Sequence, residues 1–314
     1  MTDDESIMHA LIPQYGLHVY EWTWTSPVVC KVETDMGRKI VQLWEDASKV
    51  IMRGQIMDQL AHYRFRRIPR YIRSRYGDAF VQIGDRICTL SDDLADQRIS
   101  YNEADVLAAT RNLGRLHRAM ESLRLPEQIE LPKQQSASEH MQNALTALFE
   151  ARNRFESLPQ TPFSELYLTT FDDVFDRASR AATGSKNAGA LDREKAAQET
   201  RQVAYGGYDL SEVARTNLGT IATIGFNRLG FGDREFDLYT HLRHLHKQGL
   251  TTLMPQVLRE YEDIAGVAEQ REERAAAFAA FPFEIADLAK EYFRAPDPLH
   301  DRWRKALTQE LTRL

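Results

Sequence analysis

Apolar positions recur along this chain in two different rhythms. Up to about residue 90 they come in short runs rich in β-branched and aromatic residues: LHVYEWTWT (17–25), VVCKVET (28–34), KIVQLW (39–44), then AFVQI and RICTL facing each other across Gly84-Asp85. Turn residues such as Asp35-Met36-Gly37 bound the runs, so they predict antiparallel strands joined by tight turns. One helix interrupts them at roughly 46–62, where Val50, Ile51, Ile56, Met57 and Leu60 keep helical spacing. Beyond residue 95 the rhythm is helical. Ser100 and Glu103 form a capping-box signature ahead of VLAATRNLGRLHRAM, and helical segments follow at 138–157, 163–182, 236–247, 252–264, 268–280, 283–293 and 299–313. Two polar, weakly patterned stretches, PKQQSAS (132–138) and ATGSKNAGALDREKAAQ (182–198), read as mobile surface loops. The pattern predicts an α+β chain with a small β-rich lobe over residues 1–92 and a large helical lobe over 93–314.

Composition narrows the function classes. The 314 residues, 43% hydrophobic and 27% charged, suffice for one large or two modest cores. No run of 18 apolar residues occurs and the start MTDDESIMHALIPQ is acidic, so neither a membrane span nor a signal peptide is expected. The formal charge of −6 gives no global attraction to nucleic acid or anionic lipid. Cys30 and Cys88 are the only cysteines, both in strand-like apolar contexts that suit buried thiols in a reducing compartment.

The segment YGGYDLSEVARTNLGTIATIGFNRLGFGDREFDL (205–238) carries the chemistry. Its layout, behind a β-rich lobe, one helix, a hairpin and a helical lobe, resembles the phosphotransferases of the aminoglycoside and choline kinase kind. Those have HGDxxxxN, then about a dozen residues to IDFD or IDFE, then GDPxyDL. Here Tyr205-Gly206-Gly207 falls on HGD, Glu212 on the Asn, Ile224-Gly225-Phe226-Asn227 on IDFD, and Gly232-Asp233 with Phe236-Asp237-Leu238 on the last element. Leu113-Gly114-Arg115-Leu116-His117 matches the helix after the connector, where His117 is expected to be a packed helix residue.

The resemblance implies a two-lobed protein-kinase-like fold, and it also implies roles that these residues do not fill. Phosphoryl transfer needs an aspartate to orient the attacking hydroxyl and oxygen ligands for the bridging magnesium. The base position is Gly207 and the main metal position is Gly225, neither with a side chain. Glu212 and Asn227 offer one carboxylate and one amide oxygen. The phosphate-pairing lysine position is Gln42, at the end of Gly37-Arg38-Lys39-Ile40-Val41-Gln42, and no glutamate partner is evident on the following helix. Loss of the base alone is worth roughly 10² to 10⁴ in rate. The reading is a pseudokinase with no catalytic, cofactor or metal residues and with nucleotide binding left open. A displaced base at Asp209 is the alternative, which would make a small-molecule phosphotransferase with relocated groups. Asp237 is expected to be structural, capping backbone N–H groups and bracing the loop.

The C-terminal stretch FDLYTHLRHL, REYEDI and AAFPFEIADLAKEYF, with the early Tyr15-Gly16-Leu17 and the Gly37 hairpin, resembles the spore-coat kinase-like proteins of endospore-forming bacteria, the CotS and YutH group. That resemblance implies synthesis in the mother cell, deposition in the spore coat, and a scaffold role with other coat proteins as partners. Three further signals take plainer readings. HYRFRRIPRYIRSRY (62–76), with six arginines among aromatics, is expected to be an inter-lobe or partner-binding basic face rather than a nucleic-acid surface. His241 and His244 suit a helix C-terminal half more than a metal site. Trp22, Trp24 and Trp44 are expected to pack in the small lobe.

Overall fold

The computed structural model describes residues 3–226, 228–294 and 300–313. In chain order the elements are α1 (Asp3–Tyr15), β1 (Val19–Ser26), β2 (Val29–Thr34), β3 (Gly37–Trp44), α2 (Ala47–His62), β4 (Val81–Ile83), β5 (Arg86–Asp92), β6 (Gln97–Arg98) and α3 (Glu103–Glu121). Then follow α4 (Ala137–Glu156), α5 (Pro162–Asn187), α6 (Ala190–Glu199), β7 (Val203–Ala204), β8 (Val213–Arg215), β9 (Ile221–Thr223) and β10 (Gly230–Phe231). Five helices close the chain: α7 (Glu235–Lys247), α8 (Met254–Ala265), α9 (Arg271–Ala280), α10 (Phe283–Arg294) and α11 (His300–Arg313). No helix among the described residues is long and apolar enough to cross a membrane.

The chain forms two compact units, residues 1–131 with 209–228, and residues 132–208 with 229–314. This division does not coincide with the change from strands to helices near residue 92. Helix α3 packs on α2 and on β9, which keeps it with the β-rich unit.

The first unit is built on an antiparallel sheet in the order β1-β2-β3-β5-β4. Gly37 takes φ of 83° directly after the Asp35-Met36 turn, a conformation that favours glycine. Alternation places Val41 and Leu43 of β3, Cys30 and Val32 of β2, and Cys88 and Leu90 of β5 in one core. Helix α1, which the acidic start did not predict, closes that core with Met8 and Leu11. Burial pushes the Cys88 thiol up to about 11, so it is an inert, protonated core group. Trp24 packs against this core and Trp44 donates from Nε1 to Thr89 at 2.9 Å, but Trp22, on the same face of the edge strand β1 as Trp24 and opposite Val32, is exposed. A second small sheet, β6-β8-β9, lies in the same unit.

The second unit is helical, with the two-stranded β7-β10 ribbon. Both stretches expected to be mobile loops are structured here. In the first, Gln134 N–H donates to Phe231 O at 2.8 Å, Phe231 N–H donates to Pro132 O at 2.9 Å, and Ser136 with Glu139 forms the capping box of α4. Its small polar residues are a helix cap, not a linker. In the second, α5 continues to Asn187 and α6 follows after Gly189, a left-handed residue at φ 77°. Ser185 is buried on α5, which packs on α9, and a side chain at Gly184 would touch Ala277 of α9 at 3.9 Å, so residues that read as loop formers serve close helix packing. The cap of α3 is Asn102, whose side chain accepts from Asp105 N–H at 2.9 Å, displacing the expected Ser100 and Glu103 pair.

Candidate functional site

Lys39, Val41 and Leu43 of β3 are buried toward one side, which turns Ile40, Gln42 and Trp44 to the other. There they line a cleft of about 230 Å³ within the first unit. The connector Ser91–Ala95 forms one edge, Ile224 and Phe226 another, and Arg53 and Met57 of α2 a third. Gln42 therefore does face the cleft, at the lysine position of the resemblance. Beside it stands a cation that the sequence reading missed. Arg53 shares a helix face with Val50 and Met57, its guanidinium lies 4.5 Å from the Trp44 ring centroid, and burial lowers its pKa. The signal is in the spacing: Arg53 falls three residues after the buried Val50 and four before the buried Met57. Lys31 also borders the cleft and pairs with Asp93 at 3.2 Å.

The segment on the metal side is occupied by protein groups. Glu212 closes a short helical turn, and its carbonyl accepts from Ile224 N–H at 2.8 Å, which ties the two halves of the motif together. Its carboxylate is held by Arg228 at 2.7 Å. Gly225 adds no side chain, and Asn227 lies outside the described residues. Asp209 accepts from Ser211 N–H at 2.6 Å and so caps that same turn. Among the described residues no group of three or more His, Cys, Asp or Glu gathers in a way that could hold a metal ion. Among the described residues this donor set does not fit magnesium: one glycine, and one carboxylate already paired with a guanidinium.

In the second unit, the Tyr205–Tyr208 loop is braced from α7. Asp237, fully buried, accepts from the N–H of Tyr205 at 2.9 Å, Gly206 at 2.8 Å and Gly207 at 2.6 Å. Thr240 accepts from Tyr208 N–H at 2.9 Å, while Tyr205 and Tyr208 are buried and Tyr208 stands edge-on to His241. Gly206 and Gly207 hold φ of 93° and 100°. A side chain at Gly207 would meet only Thr240 at an ordinary 3.7 Å, so backbone conformation, not space, excludes one there. His117 is buried in α3, and His241 is buried in α7.

The other acids of the GDREFDL stretch are buried as well. Glu235 binds Arg271 at 2.9 Å, Arg274 at 2.9 Å and Arg193 at 3.2 Å, and accepts from Tyr239. Burial pushes its carboxyl up, but Arg193, Tyr239 and the other two arginines hold it below the usual range. Asp233 pairs with Arg193 at 3.0 Å. These carboxylates brace the fold rather than face a substrate.

No family model matches the chain, and no curated protein matches it. Solved structures do. An aminoglycoside phosphotransferase from Alicyclobacillus acidocaldarius superposes with a TM-score of 0.80 at 14% identity, over 97% of this chain and 92% of that one. A spectinomycin phosphotransferase, solved with ADP and spectinomycin, gives 0.62 at 12% identity over 97% and 93%. A microcompartment-associated aminopropanol kinase gives 0.59 at 14% identity over 99% and 95%. At such identities it is the fold that is shared. The chain has the α+β, kinase-like fold of the aminoglycoside phosphotransferases.

Proposed function

We propose that this chain is a kinase-fold protein that holds a phosphate-bearing ligand, of nucleotide type, in the cleft beside Gln42 and Arg53 without transferring a phosphoryl group. The observation that carries the reading is the pairing of Glu212 with Arg228 next to Gly225. A guanidinium there neutralises the carboxylate that a divalent cation would need, so metal-assisted transfer has no ligand set. Arg53 supplies the positive charge that Gln42 lacks, from the helix rather than the strand. Deposition in the spore coat as a scaffold for coat proteins is part of the proposal and rests on the sequence resemblance alone.

Thermal unfolding of the purified chain with ADP or ATP, each with and without Mg²⁺, tests this reading, because a ligand that binds only the folded state raises the midpoint. The expected result is an equal rise with and without Mg²⁺. Arg53→Ala is expected to weaken the binding about tenfold or more, as loss of a charge-assisted phosphate contact does. Stabilisation that requires Mg²⁺ overturns it.

A second reading, a small-molecule phosphotransferase with relocated groups, is favoured by the activities named for the solved structures of the same fold. It assigns Asp209 as base and Glu212 as metal ligand. ADP release from ATP and Mg²⁺ in the presence of aminoglycosides or amino alcohols, abolished by Asp209→Asn, would establish it.

A further inference from the structure

Helix α2 ends at His62, and the chain turns away through Arg64, a non-glycine residue at φ 68°. Residues 62–67 then form one wall of a hollow of about 710 Å³, and Arg115 and Arg118 of α3 form the facing wall, all within the first unit. Phe65 and Ala119 are buried beneath it, while Tyr63 stands exposed at the rim, edge-on to His62.

Five arginines line this hollow: Arg64, Arg66, Arg67, Arg115 and Arg118. Among the described residues none of the five forms an ion pair or donates a side-chain hydrogen bond. The contrast lies in the same segment, where Arg70 and Arg73 both bind Asp58, at 2.9 and 2.7 Å. Arg115 is held below its ordinary pKa by burial and by the neighbouring Arg67 and Arg111, which shows that the cations stand close enough to repel. In a chain whose formal charge is −6, this is a local concentration of positive charge, with no carboxylate among the described residues that line the hollow.

We propose that the hollow is a binding site for a small anion carrying two or more phosphates, separate from the cleft beside Gln42. Guanidinium forks match phosphate oxygens in bidentate fashion, and several forks converging on one recess suit a ligand with several phosphates. A concave recess argues against a nucleic-acid duplex, whose phosphates run past a surface as an extended row. The exposed ring of Tyr63 offers an apolar or stacking contact for the organic part of the ligand.

Inorganic tripolyphosphate, titrated into the full chain at constant ionic strength, is the probe. Saturation near a hundred times Kd is expected to raise the unfolding midpoint by about 5 °C. Arg115→Ala and Arg118→Ala are expected to weaken binding at least about tenfold each. Both sites are exposed, so neither substitution should lower the midpoint of the unliganded protein. Arg115→Lys keeps the charge but loses the fork and is expected to fall between. Arg53→Ala, in the other cleft, leaves tripolyphosphate binding unchanged. The proposal fails if sodium sulfate at equal ionic strength raises the midpoint as much, if the rise survives both α3 substitutions, or if Arg53→Ala abolishes it. It fails too if a single-stranded RNA binds with steep salt dependence while tripolyphosphate does not.

Discussion

Two arginine clusters in this molecule are built in opposite ways. In the second unit Arg193, Arg271 and Arg274 face three carboxylates, Asp233, Glu235 and Glu262, and the central groups are buried. In the first unit Arg64, Arg66, Arg67, Arg115 and Arg118 face a hollow with no carboxylate among the described residues that line it. Charge that is buried and matched holds elements together, because each group has replaced its water with a partner. Charge that is gathered, exposed and unmatched costs stability through repulsion, and it persists where an outside anion supplies the balance. The contrast separates residues that keep the kinase-like fold from residues that would meet a ligand, and substitutions in the two clusters are expected to move stability in opposite directions.

The largest effect is expected in the matched cluster. Glu235→Gln leaves three arginines around a neutral amide in a buried site, and breaking such a set typically costs about 3–5 kcal/mol. Urea unfolding at pH 7 measures it. A loss below about 1 kcal/mol would mean that Asp233 and Glu262 carry the balance alone, and the matched description of Glu235 would fail.

His140 breaks the same unit by pH rather than by substitution. Its ring lies among Phe236, Phe278 and Phe283, and burial, with Arg243 alongside, pulls its pKa from the ordinary 6.5 to about 4. Lys290 lowers it further, whereas Asp287 and Glu284 pull the other way. The unfolded chain therefore binds the proton first as pH falls. The contribution of the neutral ring is fully present above pH 6.5 and is lost progressively down to pH 4, by about 2 kcal/mol once partial exposure is allowed for. His140→Phe keeps the aromatic packing and removes the titration, so the decline in midpoint between pH 7 and pH 4 is expected to be shallower in the variant.

Gly207→Asp sharpens the comparison from the loop side. It restores a carboxylate at the base position, beside the buried carboxylate of Asp237, at a backbone φ of 100° that side chains rarely adopt. Strain there is worth about 1–3 kcal/mol, so destabilisation of about 2 kcal/mol with no phosphoryl transfer is the expected result. Activity in this variant would show that the loop adapts and that the missing aspartate was the sole obstacle.

What could be read from the sequence follows the same division. The sheet and helices α2 to α5 and α7 to α11 announce themselves because period-2 and period-3.6 burial repeat over many residues. The positions of Gln42, Glu212, Gly225 and Asp237 could be placed from motif order. The bracing of loop N–H groups by Asp237 could be expected too, but what Glu212 touches could not: whether it meets a cation or Arg228 is a matter of side-chain direction between residues far apart in sequence. Arg53 is not legible as a cleft cation because the resemblance implies a glutamate, not an arginine, on that helix. The 182–198 stretch went unseen because alanine, glycine and serine serve turns and tight helix contacts alike. The basic segment 62–76 was evident as composition, but only the facing arginines of α3, about fifty residues on in sequence, make it a hollow.

The smallest effect carries the reversed sign on which the comparison depends. Arg64 sits one residue past the helix cap Tyr63 at φ 68°, a position that glycine occupies without penalty and that costs other residues about 1 kcal/mol. Arg64→Gly is therefore expected to stabilise the unliganded chain by about 0.5–1 kcal/mol, net of the extra freedom glycine gains when unfolded. Arg64→Ala keeps the strained backbone and removes only the charge, so it reports repulsion alone; its smaller gain should shrink in 0.5 M salt while the glycine gain largely remains, since screening acts on charge and not on φ. If both variants instead lower the midpoint, the Arg64 guanidinium already has a stabilising partner within the fold. The hollow would then belong with the matched cluster, and its arginines would be structural rather than anion-binding.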